Sequence, residues 1–133
     1  MVKIRSGNLI DSFKFALEGI GYTFKTQRNM RIHFSVFVIV FVIALFLKIQ
    51  WNNIALLIIV SASVIISEMF NTAIESVTDL YTRQRHPLAK VAKDVSAAAV
   101  LIASITAVII GVIIMGPPLW DIIKKFLINI FLR

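Results

Sequence analysis

Residues 67–80 read SEMFNTAIESVTDL and carry three carboxylates and one asparagine. This stretch continues an apolar run that begins near Ile54 and contains no glycine or proline that would stop a helix. On a helix with 100° per residue, its main polar side chains share an arc of about 80°; they are Glu68, Asn71, Glu75 and Asp79. The stretch therefore predicts that an apolar helix ends in a single polar face.

The composition of the 133-residue chain is that of an integral membrane protein. Hydrophobic residues make up 59% of the chain and its mean hydropathy is +0.88, more than a soluble domain of this size needs for its core. Three apolar segments approach the roughly 20 residues with which a helix crosses a bilayer. We therefore predict an all-α integral membrane protein, a single domain over 1–133, with membrane helices at 34–51, 54–80 and 93–115.

Two amphipathic segments flank these membrane helices. Residues 8–28 carry their apolar side chains on one helical face, which predicts an interfacial helix that begins at Asn8. Phe15 falls on the polar side of this helix, either as an exposed aromatic or as a stacking surface for a ring such as adenine. Gly116 and two prolines predict the end of the third membrane helix, and residues 119–132 predict an amphipathic interfacial tail.

The basic residues predict how the chain is oriented. The net charge is +7, and these residues flank apolar runs, so lipid headgroups or a phosphorylated substrate suit them better than nucleic acid. With three spans, one side of the membrane receives most of them: Lys3, Arg5, Lys14, Lys25, Arg28, Arg31, Arg83, Arg85, Lys90 and Lys93, against Lys48, Lys124, Lys125 and Arg133. This asymmetry predicts a cytoplasmic N-terminus and 81–94 loop, with an external turn near Asn52 and Asn53.

Several kinds of chemistry are excluded. The chain has no cysteine, which rules out disulfides, thiolate metal sites and cysteine nucleophiles. Neither a glycine-rich phosphate loop nor the catalytic loop of soluble kinases is present. The N-terminal residues show no apolar core followed by a cleavage site, so we expect no removable signal peptide. Phosphate chemistry would therefore depend on carboxylates, a metal ion and basic side chains.

Depth along the second membrane helix bears on this chemistry. At 1.5 Å per residue, Glu68 lies about 21 Å beyond Ile54, inside the cytoplasmic leaflet, and Asp79 lies about 16 Å farther, beyond the interface. A carboxylate at the depth of Glu68 must face protein, pair with a cation or be protonated. One explanation is a polar cluster that joins helices. The other is Mg²⁺ that arrives with substrate phosphates, because Mg²⁺ prefers carboxylate oxygens.

The loop before the third membrane helix supplies cations for such a site. Residues 83–94 read RQRHPLAKVAKD. Arg83 and Arg85 are most simply explained by anionic lipid, and a single histidine such as His86 is more often a surface residue than a ligand. Lys93 and Asp94 differ, because they are adjacent on a helix that is about to enter the bilayer. They are the candidates for contact with phosphate.

SEMFNTAIESVTDL, followed by HPLAKVAKDVSAAAVL, closely resembles the prokaryotic diacylglycerol kinase family of small integral membrane lipid kinases. The resemblance covers roughly residues 8–118 and includes SFKFALEGI and RNMRIHF. The details RNMRIH, HPLAK and GPPLW are similar to undecaprenol kinases. The resemblance implies a homotrimer in the bacterial inner membrane, with three transmembrane helices and one interfacial helix per chain and with active sites shared between protomers.

The resemblance also implies that the γ-phosphate of ATP, with Mg²⁺, passes to the hydroxyl of a membrane lipid. Undecaprenol is the expected acceptor and diacylglycerol is the alternative. The implied roles follow: Glu68 as general base, with Arg31 and Ala98 beside it at the lipid; Glu75 and Gln27 at Mg²⁺; Asn71 and Asp79 as supporting residues; and Phe15, Gln27, Glu75, His86, Lys93 and Asp94 at ATP.

Gln27 departs from the family pattern, which usually has a glutamate at this position. An amide oxygen can ligate Mg²⁺ without bringing charge, so either the affinity for the metal is weaker or another acid substitutes.

When the residues are considered without the resemblance, two other classes of membrane protein are alternatives to a kinase. A small transporter predicts acids near the middle of the bilayer and needs no basic loop, and a holin-like pore or structural membrane protein needs no E-x-x-N-x-x-x-E pattern.

Overall fold

The computed structural model describes residues 8–81 and 86–131, and the regular secondary structure in this part of the chain is entirely α-helical. Its four helices are α1 (Leu9–Thr26), α2 (Arg28–Phe46), α3 (Trp51–Tyr81) and α4 (Pro87–Phe131). The last three are each long and apolar enough to cross a membrane. The predicted all-α membrane class with three spanning helices is confirmed. Of the basic residues in the predicted charge asymmetry, Lys3, Arg5, Arg83, Arg85 and Arg133 lie outside the described residues.

A single residue, Gln27, joins α1 to α2. The start of α1 at Asn8 is as predicted, because the Asn8 side chain accepts a hydrogen bond of 2.9 Å from the Asp11 backbone N–H. At the other end of α1, Arg31 donates from Nη1 to the carbonyls of Phe24 and Lys25, at 3.2 Å each. A guanidinium at these last carbonyls satisfies unpaired acceptors and opposes the negative end of the helix dipole. Arg31 therefore links the first turn of α2 to the last turn of α1.

The turn between α2 and α3 comprises residues 47–50, and we call this end of the bundle the turn end. Lys48 has a φ of 53°, Ile49 donates its N–H to the Ala44 carbonyl and Lys48 donates to the Leu45 carbonyl, both at 3.0 Å. This is a Schellman motif. The predictions that the first membrane helix reaches residue 51 and that the turn lies at Asn52 and Asn53 are wrong, because one left-handed residue ends α2 earlier.

The apolar core lies at the turn end. Ala44, Ile54, Leu57 and Met115 form one buried cluster that brings α2, α3 and α4 together. Most other apolar side chains of the three long helices are exposed, as expected for surfaces that face lipid or another chain. Packing inside one chain therefore determines the positions of the helices mainly at this end.

The prediction that Gly116, Pro117 and Pro118 close the third membrane helix is wrong. Helix α4 runs without a break from Pro87 to Phe131 and contains both prolines. Each proline has a backbone torsion compatible with a helix and only removes one donor, so the carbonyls four residues earlier lose their helical partners. The predicted tail is thus the continuation of α4.

Candidate active site

One face of α3 carries both an apolar wall and the polar residues. Leu57, Ser61 and Val64 lie within the same arc of about 80° as Glu68, Asn71, Glu75 and Asp79. The predicted polar face is therefore the continuation of a face that lies between α2 and α4. Groups bound along this face would extend from an apolar to a polar environment within one helix.

Glu68 is the most deeply buried carboxylate among the described residues, with 1% of the residue exposed. Its Oε2 atom is buried and has no hydrogen-bond partner. Leaving a buried polar atom without a partner costs about 1–3 kcal/mol, and more for a charged group. An oxygen retained at that cost is available to a group that arrives from outside the chain.

Asn71 connects the neighbouring carboxylate to α4. Its Nδ2 donates to Glu75 Oε1 at 3.2 Å, and its Oδ1 accepts from Ser96 Oγ at 2.7 Å. Ser96 Oγ also lies 2.9 Å from the Lys93 carbonyl, so its one proton has two acceptors. Asn71 and Ser96 are both buried. Asn71 thus orients Glu75 towards α4, and Ser96, which makes this contact possible, was not singled out from the sequence.

Two ion pairs lie beyond this buried cluster. Lys93 Nζ lies 2.5 Å from Asp79 Oδ1 and joins α4 to the end of α3. Lys90 Nζ lies 2.6 Å from Asp94 Oδ2, on the outward side of α4. Both pairs are substantially exposed, and pairs of this kind add little stability. Lys93 can therefore exchange Asp79 for an anionic ligand at small cost.

An apolar groove runs along α3 between α2 and α4, with a cavity volume of about 480 Å³. Its walls include Phe37 of α2 and Val64 of α3, together with Ser104 and Met115 of α4. The Ser104 Oγ atom is buried without a hydrogen-bond partner. At 1.5 Å per residue, the face of α3 from Leu57 to Glu68 is about 16 Å long. The groove has the dimensions and polarity of a site for a hydrocarbon chain.

His33 lies on the wall of this groove and was not singled out from the sequence. It is half-buried on α2 and lies near Glu68 of α3. His33 stands immediately before the apolar run that begins at Phe34, so its position in the sequence gave no signal that it would line the groove.

Several predicted residues lie apart from this cluster within one chain. Phe15 is exposed on α1, and His86 is exposed immediately before the first turn of α4. Asp94 and Ala98 are exposed, and each is two positions, or about 200°, from buried Ser96 on the α4 wheel. They therefore face away from α3. One chain unites Glu68, Asn71, Glu75, Asp79 and Lys93 but not the remaining nucleotide and lipid candidates.

The predicted metal ligands suit an ion that brings most of its own ligands. Among the described residues, no group of three histidine or carboxylate side chains is placed to hold a metal. Half-buried Glu75 has one oxygen engaged by Asn71, and half-buried Gln27 does not cap α2 with its side chain. Mg²⁺ commonly uses one or two protein carboxylates with substrate phosphates and water. These donors fit Mg²⁺ that arrives with a nucleotide.

Comparison with known proteins agrees with the sequence motifs. The family model described as prokaryotic diacylglycerol kinase matches residues 14–115. A diacylglycerol kinase of Synechocystis sp. is 48% identical over 113 residues, 84% of this chain and 65% of that protein. An undecaprenol kinase of Bacillus subtilis is 39% identical over 111 residues, 81% of this chain and 88% of that protein. A diacylglycerol kinase of Escherichia coli is 35% identical over 115 residues, 81% of this chain and 94% of that protein. The chain thus spans less than two thirds of the Synechocystis protein and most of the other two.

Proposed function

Because the chain belongs to the prokaryotic diacylglycerol kinase family, and is therefore a membrane lipid kinase, we propose that it transfers the γ-phosphate of ATP to the hydroxyl of undecaprenol. The reaction takes place at the cytoplasmic face of the bacterial inner membrane, where the predicted excess of basic residues lies. The observation that supports this proposal is the shared face of α3, which joins an apolar groove to Glu68 and then to Glu75 and Asp79.

The acceptor lipid enters along this face. Its hydrocarbon chain lies in the groove against Val64 and Phe37, and its hydroxyl lies at Glu68 Oε2, the buried oxygen that has no partner in the chain. His33 lies beside both the groove and Glu68, so it contacts the acceptor headgroup. The two hydroxyls that line the groove, of Ser61 and Ser104, leave the rest of its described wall mainly apolar.

Glu68 acts as the general base. The lipid oxygen forms a bond to the γ-phosphorus while the bond to the β–γ bridging oxygen breaks, the electron pair leaves on ADP, and the hydroxyl proton passes to Glu68. General bases of this kind contribute about 10²- to 10⁴-fold to the rate. Phosphoryl transfer otherwise requires alignment and neutralisation of charge more than covalent chemistry.

The nucleotide approaches from the water side of the same face. Lys93 leaves Asp79 to contact phosphate, and His86 and Asp94 bind the nucleotide with Phe15. Asn71 holds Glu75 in a fixed orientation for metal binding, with Gln27 as the second donor. When bound, Mg²⁺ would supply a positive charge at the phosphates. Asp79, released from Lys93, remains at the entry to the site.

The complete site is shared between copies in a homotrimer. Asp94 and Ala98 face outward from α4 and Phe15 is exposed on α1, so these residues reach a nucleotide or lipid only if a second copy brings its own Glu68 face to them. The exposed apolar surfaces of α2, α3 and α4 offer the area for such packing. This arrangement supports the proposed trimer on physical grounds.

Diacylglycerol is the second candidate acceptor, because the Synechocystis and Escherichia coli relatives carry that name. Both alcohols present a hydroxyl at the interface. The test is an assay of the purified protein in lipid vesicles with ATP and Mg²⁺, offering undecaprenol and diacylglycerol separately. We expect faster phosphorylation of undecaprenol. Faster phosphorylation of diacylglycerol would reverse the assignment of the acceptor, and no product from either alcohol would contradict the proposed reaction.

A further inference from the structure

Helix α4 extends far beyond the rest of the described bundle. Met115 packs on Ala44 and Ile54, which flank the turn between α2 and α3, so Met115 is level with the turn end. The helix continues to Phe131, about 24 Å farther at 1.5 Å per residue. Its 45 residues correspond to about 68 Å, more than twice the thickness of the hydrocarbon core. The segment 119–131, which we call the tail, is exposed at each position from 119 to 130.

The tail has one apolar side. Leu119, Ile123, Phe126 and Ile130 are separated by four, three and four residues and continue the line of Met115 along α4. These four side chains are between 39% and 65% exposed. Asp121, Lys124 and Lys125 lie on the opposite side of the helix, which Ile128 shares. A straight α4 would hold this apolar side in water, where it has nothing to pack against.

We propose that the tail lies flat on the membrane surface at the turn end, with its apolar side in the boundary between headgroups and acyl chains and its lysines towards anionic headgroups. The covering material is lipid because α4 leaves the hydrocarbon core near Met115, so the tail begins at the bilayer surface. Amphipathic helices with basic polar sides bind such surfaces. Exposed Trp120, at the start of the tail, suits the interface.

The adjacent prolines allow the bend that this placement requires. Pro117 and Pro118 lack N–H groups, so the carbonyls of Ile113 and Ile114 lose their helical partners at one level of α4. Prolines are a common cause of sharp helix bends. The family match ends at Met115, immediately before this point. The tail proposal therefore does not depend on the proposed kinase reaction.

The natural absence of cysteine makes a direct test possible. The matched variants are Ile123→Cys on the apolar side and Lys125→Cys on the polar side, each in the full chain in vesicles of phosphatidylethanolamine and phosphatidylglycerol. A charged maleimide supplied on both sides of the membrane should label Lys125→Cys at least tenfold faster than Ile123→Cys. The two rates should become equal in sodium dodecyl sulfate, which shows that both thiols are reactive.

A second measurement identifies what covers the apolar side. A bimane label at Ile123→Cys should be quenched strongly by lipids with brominated acyl chains, and a label at Lys125→Cys should be quenched weakly. Equal fast maleimide labelling would mean that the tail lies in water, and equal protection would mean that it is inserted in the hydrocarbon. Slow labelling of Ile123→Cys without quenching would mean that another copy covers it. Each of these three results would overturn the proposal, and lipid kinase activity should be unchanged in both variants.

Discussion

Ser96 of α4 donates a hydrogen bond of 2.7 Å to the side-chain carbonyl of Asn71 on α3. This contact leaves the amide group of Asn71 directed at Glu75, 3.2 Å away. A serine that was not singled out from the sequence therefore controls the orientation of the proposed metal ligand through one intermediate side chain.

Ser96→Ala should destabilise the protein and impair its function. The substitution leaves the buried Oδ1 of Asn71 without its donor, which costs about 1–3 kcal/mol. We expect a lower midpoint of thermal unfolding and an increased requirement for Mg²⁺, because Glu75 loses its fixed orientation. Ser104→Ala on the same helix is the matched control, since the Ser104 hydroxyl is buried without a partner and its removal should be neutral or stabilising. Equal destabilisation by both variants would contradict this account.

Glu68→Gln should nearly abolish turnover while the protein remains folded. Glutamine has almost the same shape but is not a base, so we expect the rate to fall by about 10²-fold or more. Thermal unfolding should be unchanged or shifted upwards, because a neutral amide is easier to bury than a carboxylate. Glu18→Gln, on exposed α1, is the control and should keep full activity. A Glu68→Gln rate above a tenth of the wild-type rate would exclude Glu68 as the base.

Gln27→Glu should lower the Mg²⁺ concentration that gives half-maximal activity. The substitution adds a second carboxylate for an ion that favours charged oxygen ligands. The measurement is the rate of lipid phosphorylation against Mg²⁺ at saturating ATP. Gln50→Glu, in the turn at the opposite end of the bundle, adds the same charge far from the site and should leave the curve unchanged. An unchanged curve for Gln27→Glu would remove Gln27 from the metal site.

The two histidines should separate acceptor binding from nucleotide binding. His33→Ala should raise KM for the lipid several-fold with little change in KM for ATP, because His33 lines the groove beside Glu68. His33→Asn should restore part of the affinity by supplying a donor. His86→Ala should show the reverse pattern, since His86 lies at the start of α4 on the water side of the proposed site. The same change in both KM values for each variant would contradict this division.

Lys48→Gly should stabilise the protein. Lys48 occupies the left-handed conformation with a φ of 53°, which costs an ordinary residue roughly 1–2 kcal/mol and glycine very little. We expect a gain of about 1 kcal/mol, measured as a higher midpoint of thermal unfolding in detergent. Lys124→Gly is the control with the opposite sign, because a glycine inside exposed α4 weakens the helix. A loss of stability in Lys48→Gly would indicate that the lysine side chain contributes more than the backbone strain removes.

Periodic features were predictable from the sequence. The membrane helices follow from runs of apolar residues, and the shared face of Glu68, Asn71 and Glu75 follows from spacing, because both depend only on the pitch of a helix. The resemblance of SEMFNTAIESVTDL and HPLAKVAKD to one family is confirmed by the match over residues 14–115.

Contacts between distant residues were not predictable in the same way. Ser96 and Asn71 are 25 positions apart, and the relevance of His33 depends on how α2 packs against α3. The end of α2 was placed too late because lysine is an uncommon residue in the left-handed position, so composition gave no stop signal at Lys48. The prolines of α4 led to the opposite error: the helix was predicted to end too early, because residues that commonly end a helix lie inside one that continues.

Helix α3 is unbroken from Trp51 at the turn end to Tyr81. Glu68 is therefore held about 26 Å from Trp51 along the helix, independently of the thickness of the surrounding bilayer. A bilayer that is too thick or too thin moves its headgroup plane, and with it the acceptor hydroxyl, away from that height. In the proposed mechanism, the length of one helix therefore couples the rate of phosphoryl transfer to the thickness of the host membrane, so the rate should depend on the physical state of the bilayer as well as on the supply of substrates.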